Sequence, residues 1–343
     1  MTKDLCLAFL DAAATKLARM VSEWYRVGFC QGNFNADNCL VGGYTMDYGP
    51  FGFMDMYDPG FAKWTGSGTH FAFANQMNAG FVNWQTLVNA VEPALQAAGG
   101  TKADLNECVV RNEKSFKGAL DNCWRRKLGF QNIDPRQHAV KSWLEDDDEP
   151  EPPMGSFRIA PNQVTKIPED QRKALELAAY INHSAADLNS GLSKLMLSSE
   201  ADYTITYRQL AVVVESFYDI ADDAGPSDLV DPLREAFHSL EPPVEEWAMW
   251  IRQWITMLKE HHPEDNGSTI AARMRGENPK YIPREWMLVE VYDAVAAGDF
   301  APLHEIFDLF SQPYAEQTPE RSKRFYTRAS TEDLKKPGTA FMT

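Results

Sequence analysis

Between Asp37 and Asp47 the chain reads Asp-Asn-Cys-Leu-Val-Gly-Gly-Tyr-Thr-Met-Asp, and this stretch restricts the fold more than any other. Gly42-Gly43 is a two-residue turn signal, because a type I′ turn needs positive φ at both central positions. Cys39-Leu40-Val41 and Tyr44-Thr45-Met46 flank it, so a short β-hairpin is expected. The hairpin sets Asp37-Asn38 at one end and Asp47 at the other. Tyr48-Gly49-Pro50-Phe51-Gly52-Phe53 follows as a rigid turn that would hold Asp47 still. Hard oxygen ligands facing each other across a tight turn suit a Mg²⁺ ion carrying a nucleotide triphosphate.

Elsewhere the pattern is helical. Leu10, Leu17, Val21 and Trp24, with Ala13 and Met20 between them, recur at three- and four-residue steps and predict one amphipathic helix over 3–27. Gly28 stands where such a helix stops. Residues 30–38 read as a polar loop and 49–82 as an ordered loop rich in Gly, Pro and aromatics. Helices are expected near 83–98 and 104–128, then over 169–220, 228–260, 284–297 and 301–311. Glu145 to Pro153 is acidic with three prolines, a solvated, extended stretch. The expected class is mainly α (α+β), with one small β element at the interesting place.

Composition narrows the functional classes. Apolar residues make up 44% and aromatics 12% of the 343 residues, enough for a substantial core. Lys plus Arg number 33 against 49 for Asp plus Glu, a net charge of −16. That argues against nonspecific binding to nucleic acid or to an anionic membrane surface. No apolar stretch approaches the roughly 20 residues needed to span a bilayer. The N-terminus has neither the basic and apolar regions of a signal peptide nor an Arg-rich transit pattern. Five cysteines form no CxxC pair, so reduced thiols are expected rather than a disulfide scaffold or structural zinc site.

Phosphoryl-type transfer needs positioned metals and charge stabilisation more than covalent help. In protein kinases an Asn ending the catalytic loop and the Asp of a later Asp-Phe-Gly share that metal work. Asn38 and Asp47-Tyr48-Gly49 occur in the same order, with the same intervening hairpin and a helix before them. A kinase places its base five residues ahead of the Asn; Asn33 stands there and cannot serve. Asp37 is the nearby carboxylate that could replace it, although each of Asp37, Asn38 and Asp47 taken alone could equally be a turn or cap residue.

The sequence resembles the selenoprotein O family, also called YdiU. The resemblance rests on Gly28-Phe29-Cys30, Asn35-Ala36-Asp37-Asn38, Met46 through Asp55 and Tyr57-Asp58-Pro59. It continues in Asn75-Gln76, Asn83-Trp84, Asp202-Tyr203-Thr204, Arg208, Asn278-Pro279-Lys280-Tyr281, Gly298-Asp299-Phe300 and Pro313-Tyr314. It implies a kinase-like fold that moves AMP, not phosphate, from ATP onto Ser, Thr or Tyr hydroxyls of proteins, with Mg²⁺ as cofactor. Carried over, Asn38 and Asp47 hold the metal-nucleotide and Asp37 is the base. Family members usually carry His-Gly where this chain has Gln31-Gly32, a departure expected to be tolerable because that His is not a metal ligand. The family's N-lobe precedes the helix with which this chain begins, so the chain is expected to correspond to a C-terminal part. The implied layout is a kinase-like C-lobe over 1–140, an acidic Pro-rich linker or insertion over 141–168, a helical region over 169–315 and a mobile tail over 316–343. The competing reading is a truncated, inactive remnant that binds nucleotide or protein. The family's cysteine after Asp-Pro-x-aromatic is replaced by Ala62-Lys63-Trp64 and its C-terminal Cys or selenocysteine is missing, so no disulfide switch between those points is expected. Oligomeric state and compartment stay open, cytoplasmic by default and mitochondrial if an upstream segment carries a transit peptide.

Smaller candidates take plain readings. His261-His262 is expected to be a solvated helix end, and Arg273, Arg275 and Lys280 surface charges. Phe51, Phe53, Phe61, Trp64, Phe71 and Phe73 are expected to anchor core and loops, and Cys30 and Cys39 to be inert thiols.

Overall fold

In a computed structural model of the chain, the structure describes residues 2–46, 48–63, 66, 68–131, 185–330 and 332–333. Helix α1 (Lys3–Val27) starts where the Thr2 hydroxyl accepts the Leu5 N–H at 3.3 Å. It stops at Gly28, whose φ of 76° lets its N–H return to the last carbonyls. Tyr203 packs so close that a Cβ at Gly28 would lie 3.0 Å from its ring. Strand β1 (Phe29–Gln31) follows at once and pairs antiparallel with β2 (Phe51–Phe53), Phe29 opposite Phe53 and Gln31 opposite Phe51.

Helices α2 (Gln76–Ala97) and α3 (Lys102–Lys127) pack on α1. Trp84 is fully buried and donates its indole N–H to the Leu10 carbonyl at 2.9 Å. The Thr101–Asp104 capping box opens α3. Residues 185–198 form α4. After it come α5 (Tyr203–Phe217), the short α6 (Pro226–Val230), α7 (Val244–His261) and α8 (Gly267–Glu277). The main core draws on both sides of 132–184, joining Leu10, Trp84 and Phe116 to Tyr203, Trp247 and Trp254. A second, smaller core unites α9 (Glu285–Ala296), α10 (Ala301–Ser311) and α11 (Pro319–Phe325) around Met287, Leu309 and Phe325.

The molecule is mainly helical, as the periodicity requires, but several expectations need correction. The hairpin about Gly42-Gly43 shrinks to a single bridge between Cys39 and Thr45. The turn is closed by the Gly43 N–H donating to the Leu40 carbonyl at 2.9 Å, and only Gly43 has positive φ, 72°. The extended pairing lies outside it, between β1 and β2, because the Phe29, Phe51 and Phe53 rings pack on one another there. Helix α2 begins at Gln76, within the stretch expected to be loop. Part of the tail is also ordered: α11 buries Phe325, since an apolar ring facing Tyr281 and Met287 gains more in the core than in water. The acidic stretch 141–168, Trp64 and residues 334–343 lie outside the described residues.

His262 is not a solvated helix end. It is buried, packs against Phe130 and accepts the Gln131 N–H at 3.1 Å. Arg273, Arg275 and Lys280 are not idle surface charges either. Arg273 closes the end of α3 through the Gly129 carbonyl and pairs with Asp265, Arg275 pairs with Glu215, and Lys280 with Glu316. Phe71 and Phe73 are buried, and Phe51, Phe53 and Phe61 pack on the core.

Candidate functional site

The site region is the loop between β1 and β2. Cys30 of β1 is buried, and burial pushes its thiol up to about 12; Cys39 is pushed up to about 11 by the same cause. Neither is an activated thiol. Gln31, also fully buried, ends the strand with its backbone N–H and both ends of its carboxamide engaged. Its N–H donates to Gln76 Oε1 at 2.9 Å, its Oε1 accepts the Asn33 N–H at 3.0 Å, and its Nε2 donates to the Met46 carbonyl at 3.2 Å. Gln76, from the first turn of α2, donates back to the Phe29 carbonyl at 3.0 Å. Two buried carboxamides thus tie the strand to the helix and the strand's end to both arms of the loop.

Past Gln31 the chain turns sharply. The Gly32 N–H donates to the Pro50 carbonyl at 2.8 Å, and a Cβ on Gly32 would lie 2.1 Å from that oxygen. Phe34 is fully buried, making an edge contact with Trp24, and its carbonyl accepts from Asn83 Nδ2 at 2.8 Å. That anchor carries Ala36–Asn38 as one 3₁₀ turn, closed by the Asn38 N–H to the Asn35 carbonyl at 3.0 Å. Asn38 Nδ2 donates to the Asn33 carbonyl at 2.9 Å. The carboxamide is thereby oriented with its Oδ1 turned the other way, a hard oxygen presented by a fixed side chain. Asp37 is exposed beside it and makes no hydrogen bond among the described residues. Asn33, at the kinase base position, has its Oδ1 accepting from Asn35.

On the other arm, Thr45 accepts the Trp24 indole N–H at 2.9 Å, and Met46 is held through its carbonyl by Gln31. Asp47 itself lies outside the described residues, so the structure places its neighbour and not its carboxylate. Asn38 and Asp37 are brought together on one turn; how near Asp47 comes to them is not among the described geometry. Among the described residues no three His, Cys, Asp or Glu side chains group as a metal site. Tyr44 and Tyr48 project from this loop into solvent.

Three residues near the site escaped the sequence reading. Gln31, expected to be a tolerable departure, stands at the centre of the loop's hydrogen bonds. Lys63 lays its stem across β1 and β2, so close that a Cβ on Gly52 would meet it at 2.8 Å, and its ammonium pairs with Glu285 at 2.6 Å. Arg284 is buried between Asp55 and Asp202, whose carboxylate it meets at 2.6 and 3.2 Å. Burial opposes its charge, but Asp202 and Asp55 outweigh it and hold the guanidinium above its ordinary range. The signal available beforehand for Gln31 was a long polar side chain closing an apolar strand. For Lys63 and Arg284 there was none, because their partners are distant in sequence.

Other residues that carry the resemblance also meet in space. Arg208 donates to the carbonyls of Arg275, Asn278 and Tyr314. The Lys127 ammonium reaches Asn278 Oδ1 at 3.0 Å and the Arg26 carbonyl at 2.7 Å, beneath the Tyr207 ring. Arg26, three residues before β1, donates to the Tyr314 hydroxyl at 2.7 Å. These contacts brace the end of α1, from which the site loop springs.

A family model described as protein adenylyltransferase SelO matches residues 2–311. A protein nucleotidyltransferase YdiU of Aromatoleum aromaticum is 29% identical over 318 residues, 91% of this chain and 48% of that protein. The protein adenylyltransferase SelO, mitochondrial, of Mus musculus is 25% identical over 355 residues, 95% of this chain and 50% of its own length. A YdiU nucleotidyltransferase of Salmonella schwarzengrund is 25% identical over 338 residues, 94% and 54% respectively. The chain spans about half the length of these curated relatives. Among the described residues no helix is long and apolar enough to cross a membrane. With the match running through the site loop and nearly all the helices around it, the chain belongs to the SelO family of protein adenylyltransferases.

Proposed function

We propose that this chain carries the metal- and nucleotide-holding part of a protein adenylyltransferase with a kinase-like C-lobe, which transfers AMP from ATP to Ser, Thr or Tyr hydroxyls of proteins. The observation that carries the reading is the locked Asn33–Asn38 turn, with Asn38 Oδ1 presented and Asp37 exposed beside it. Family membership supplies the reaction class. In the transfer, the acceptor hydroxyl oxygen bonds to the α-phosphorus, the bond from that phosphorus to the bridging oxygen breaks, and pyrophosphate leaves. Asp37 takes the hydroxyl proton. Its exposure suits contact with a protein substrate.

The donor set fits Mg²⁺: Asn38 Oδ1 and the Asp47 carboxylate are hard oxygens, and Mg²⁺ favours a few such ligands together with phosphate oxygens. When bound, it would neutralise charge on the phosphates as the leaving group departs. The chain's own part is to orient Asn38 through Asn33, to keep the loop ends together, and to accept the proton at Asp37. A kinase reading is disfavoured because Asn33 cannot act as base.

Incubation with ATP labelled at the α- or the γ-phosphate tests this. Protein-bound α-label that vanishes in Asp47→Ala and falls in Asp37→Ala is expected. Bound γ-label would mean phosphate transfer. Neither label, with no heat of Mg²⁺–ATP binding by calorimetry, would instead favour an inactive remnant and sink the site assignment.

A further inference from the structure

We propose that Gln31 is a positioning residue that sets the separation of the two arms of the site loop, and that it does so because one side chain both donates and accepts. The Gln31 carboxamide is fully buried and spans the gap: Oε1 takes the Asn33 N–H and Nε2 gives to the Met46 carbonyl. Asn33 is the residue whose carbonyl orients Asn38. Met46 directly precedes Asp47. A change at Gln31 therefore reaches Asn38 through one arm and the chain entering Asp47 through the other. Its own backbone is fixed by Gln76, so the amide has little freedom to follow a displaced loop.

The donor-plus-acceptor requirement makes a chemical prediction about which replacements work. A neutral imidazole carries one N–H donor and one bare nitrogen acceptor, as a carboxamide carries NH₂ and oxygen. Histidine can therefore hold both arms. Glutamate can keep the Asn33 arm but presents an oxygen to the Met46 carbonyl. Leucine holds neither, and leaves the Met46 carbonyl and Asn33 N–H without their partner.

The inference rests on the metal–nucleotide reading for its consequence, but its geometry is tested separately. Mn²⁺ with ATP serves as probe, titrated by electron paramagnetic resonance against the full chain and its Gln31→Leu, Gln31→Glu and Gln31→His variants. Hydrogen exchange is followed in 32–38 and 44–48 without ligand. Gln31→Leu should weaken Mn²⁺–ATP by about ten- to hundredfold, the usual cost of losing a group that orients a ligand, and speed exchange in both segments. Gln31→Glu should speed exchange chiefly in 44–48, and Gln31→His should restore affinity and protection. Wild-type affinity and exchange in Gln31→Leu overturn the proposal, as does failure of Gln31→His to rescue while still folded. If the wild-type chain binds no Mn²⁺–ATP, the proposed function fails, and the exchange pattern alone still decides whether Gln31 couples the arms.

Discussion

The site loop and the Asp55–Asp202–Arg284 knot are both built from polar residues, yet they treat water in opposite ways. In the knot Arg284 and Asp202 are drawn into the interior with Asp55 half-buried beside them, and the partners come from three distant segments: Asp55 after β2, Asp202 capping α5, and Arg284 before α9. In the loop, among the described candidate residues, Asp37 is exposed and Asn38 half-buried, while the scaffold beneath them, Gln31, Phe34 and Gln76, is buried. The knot ties together three segments distant in sequence. The loop keeps the Asp37 carboxylate exposed and leaves the rigidity to the layer below.

If that division is correct, the largest effect comes from the knot. Arg284→Leu strands the buried Asp202 carboxylate and the half-buried Asp55 beside it and should cost about 3–5 kcal/mol in chemical denaturation; a loss below 1 kcal/mol would mean the triad does not hold these segments together. Gly32→Ala tests the border between the two regions. Its Cβ meets the Pro50 carbonyl, and relief by backbone shifts should cost about 1–3 kcal/mol and diminish Mn²⁺–ATP binding along with stability.

A titration of His262 follows in size. Burial, then Arg273, hold it down to about 4 from an ordinary 6.5. Below pH 6.5 the unfolded chain takes up a proton that the folded imidazole refuses, so stability is full above 6.5 and falls as pH drops towards 4. Between pH 6.5 and 5 the loss should be about 1–2 kcal/mol, at about 1.4 kcal/mol for each pH unit traversed. His262→Asn should flatten that slope in thermal melts at successive pH values, and an unchanged slope would assign it elsewhere. The smallest stability effect belongs to the loop: Asn38→Ala should change folding by no more than about 0.5 kcal/mol while abolishing Mn²⁺–ATP binding. A large destabilisation there would make Asn38 a structural residue and remove the contrast.

Much of this was legible in the residues. Periodicity located α1, α3, α9 and α10 to within a few positions, because each buries one face and is closed by local signals such as Thr2, Gly28 and Thr101. The candidate site residues are drawn to one loop by the sequence alone, since Asp37-Asn38 and Asp47 follow one another at short range. The hairpin was over-read because Gly42-Gly43 states a turn but not its type. Only the packing of Gly43 against the Lys16 backbone and the single Cys39–Thr45 bridge define how far the pairing extends.

The sequence alone determined what depends on neighbours in the chain: helix spacing, caps, the order of the site residues and the family they mark. Tertiary structure alone decided which polar residues are buried and with whom. Gln31 reads as a conservative replacement until Asn33 and Met46 are seen on either side of it. Arg284 reads as an ordinary charge before a helix until Asp55 and Asp202, far away in sequence, close on it. The reason is physical: a buried polar group is tolerated only where its partners converge, and convergence is a property of the folded chain.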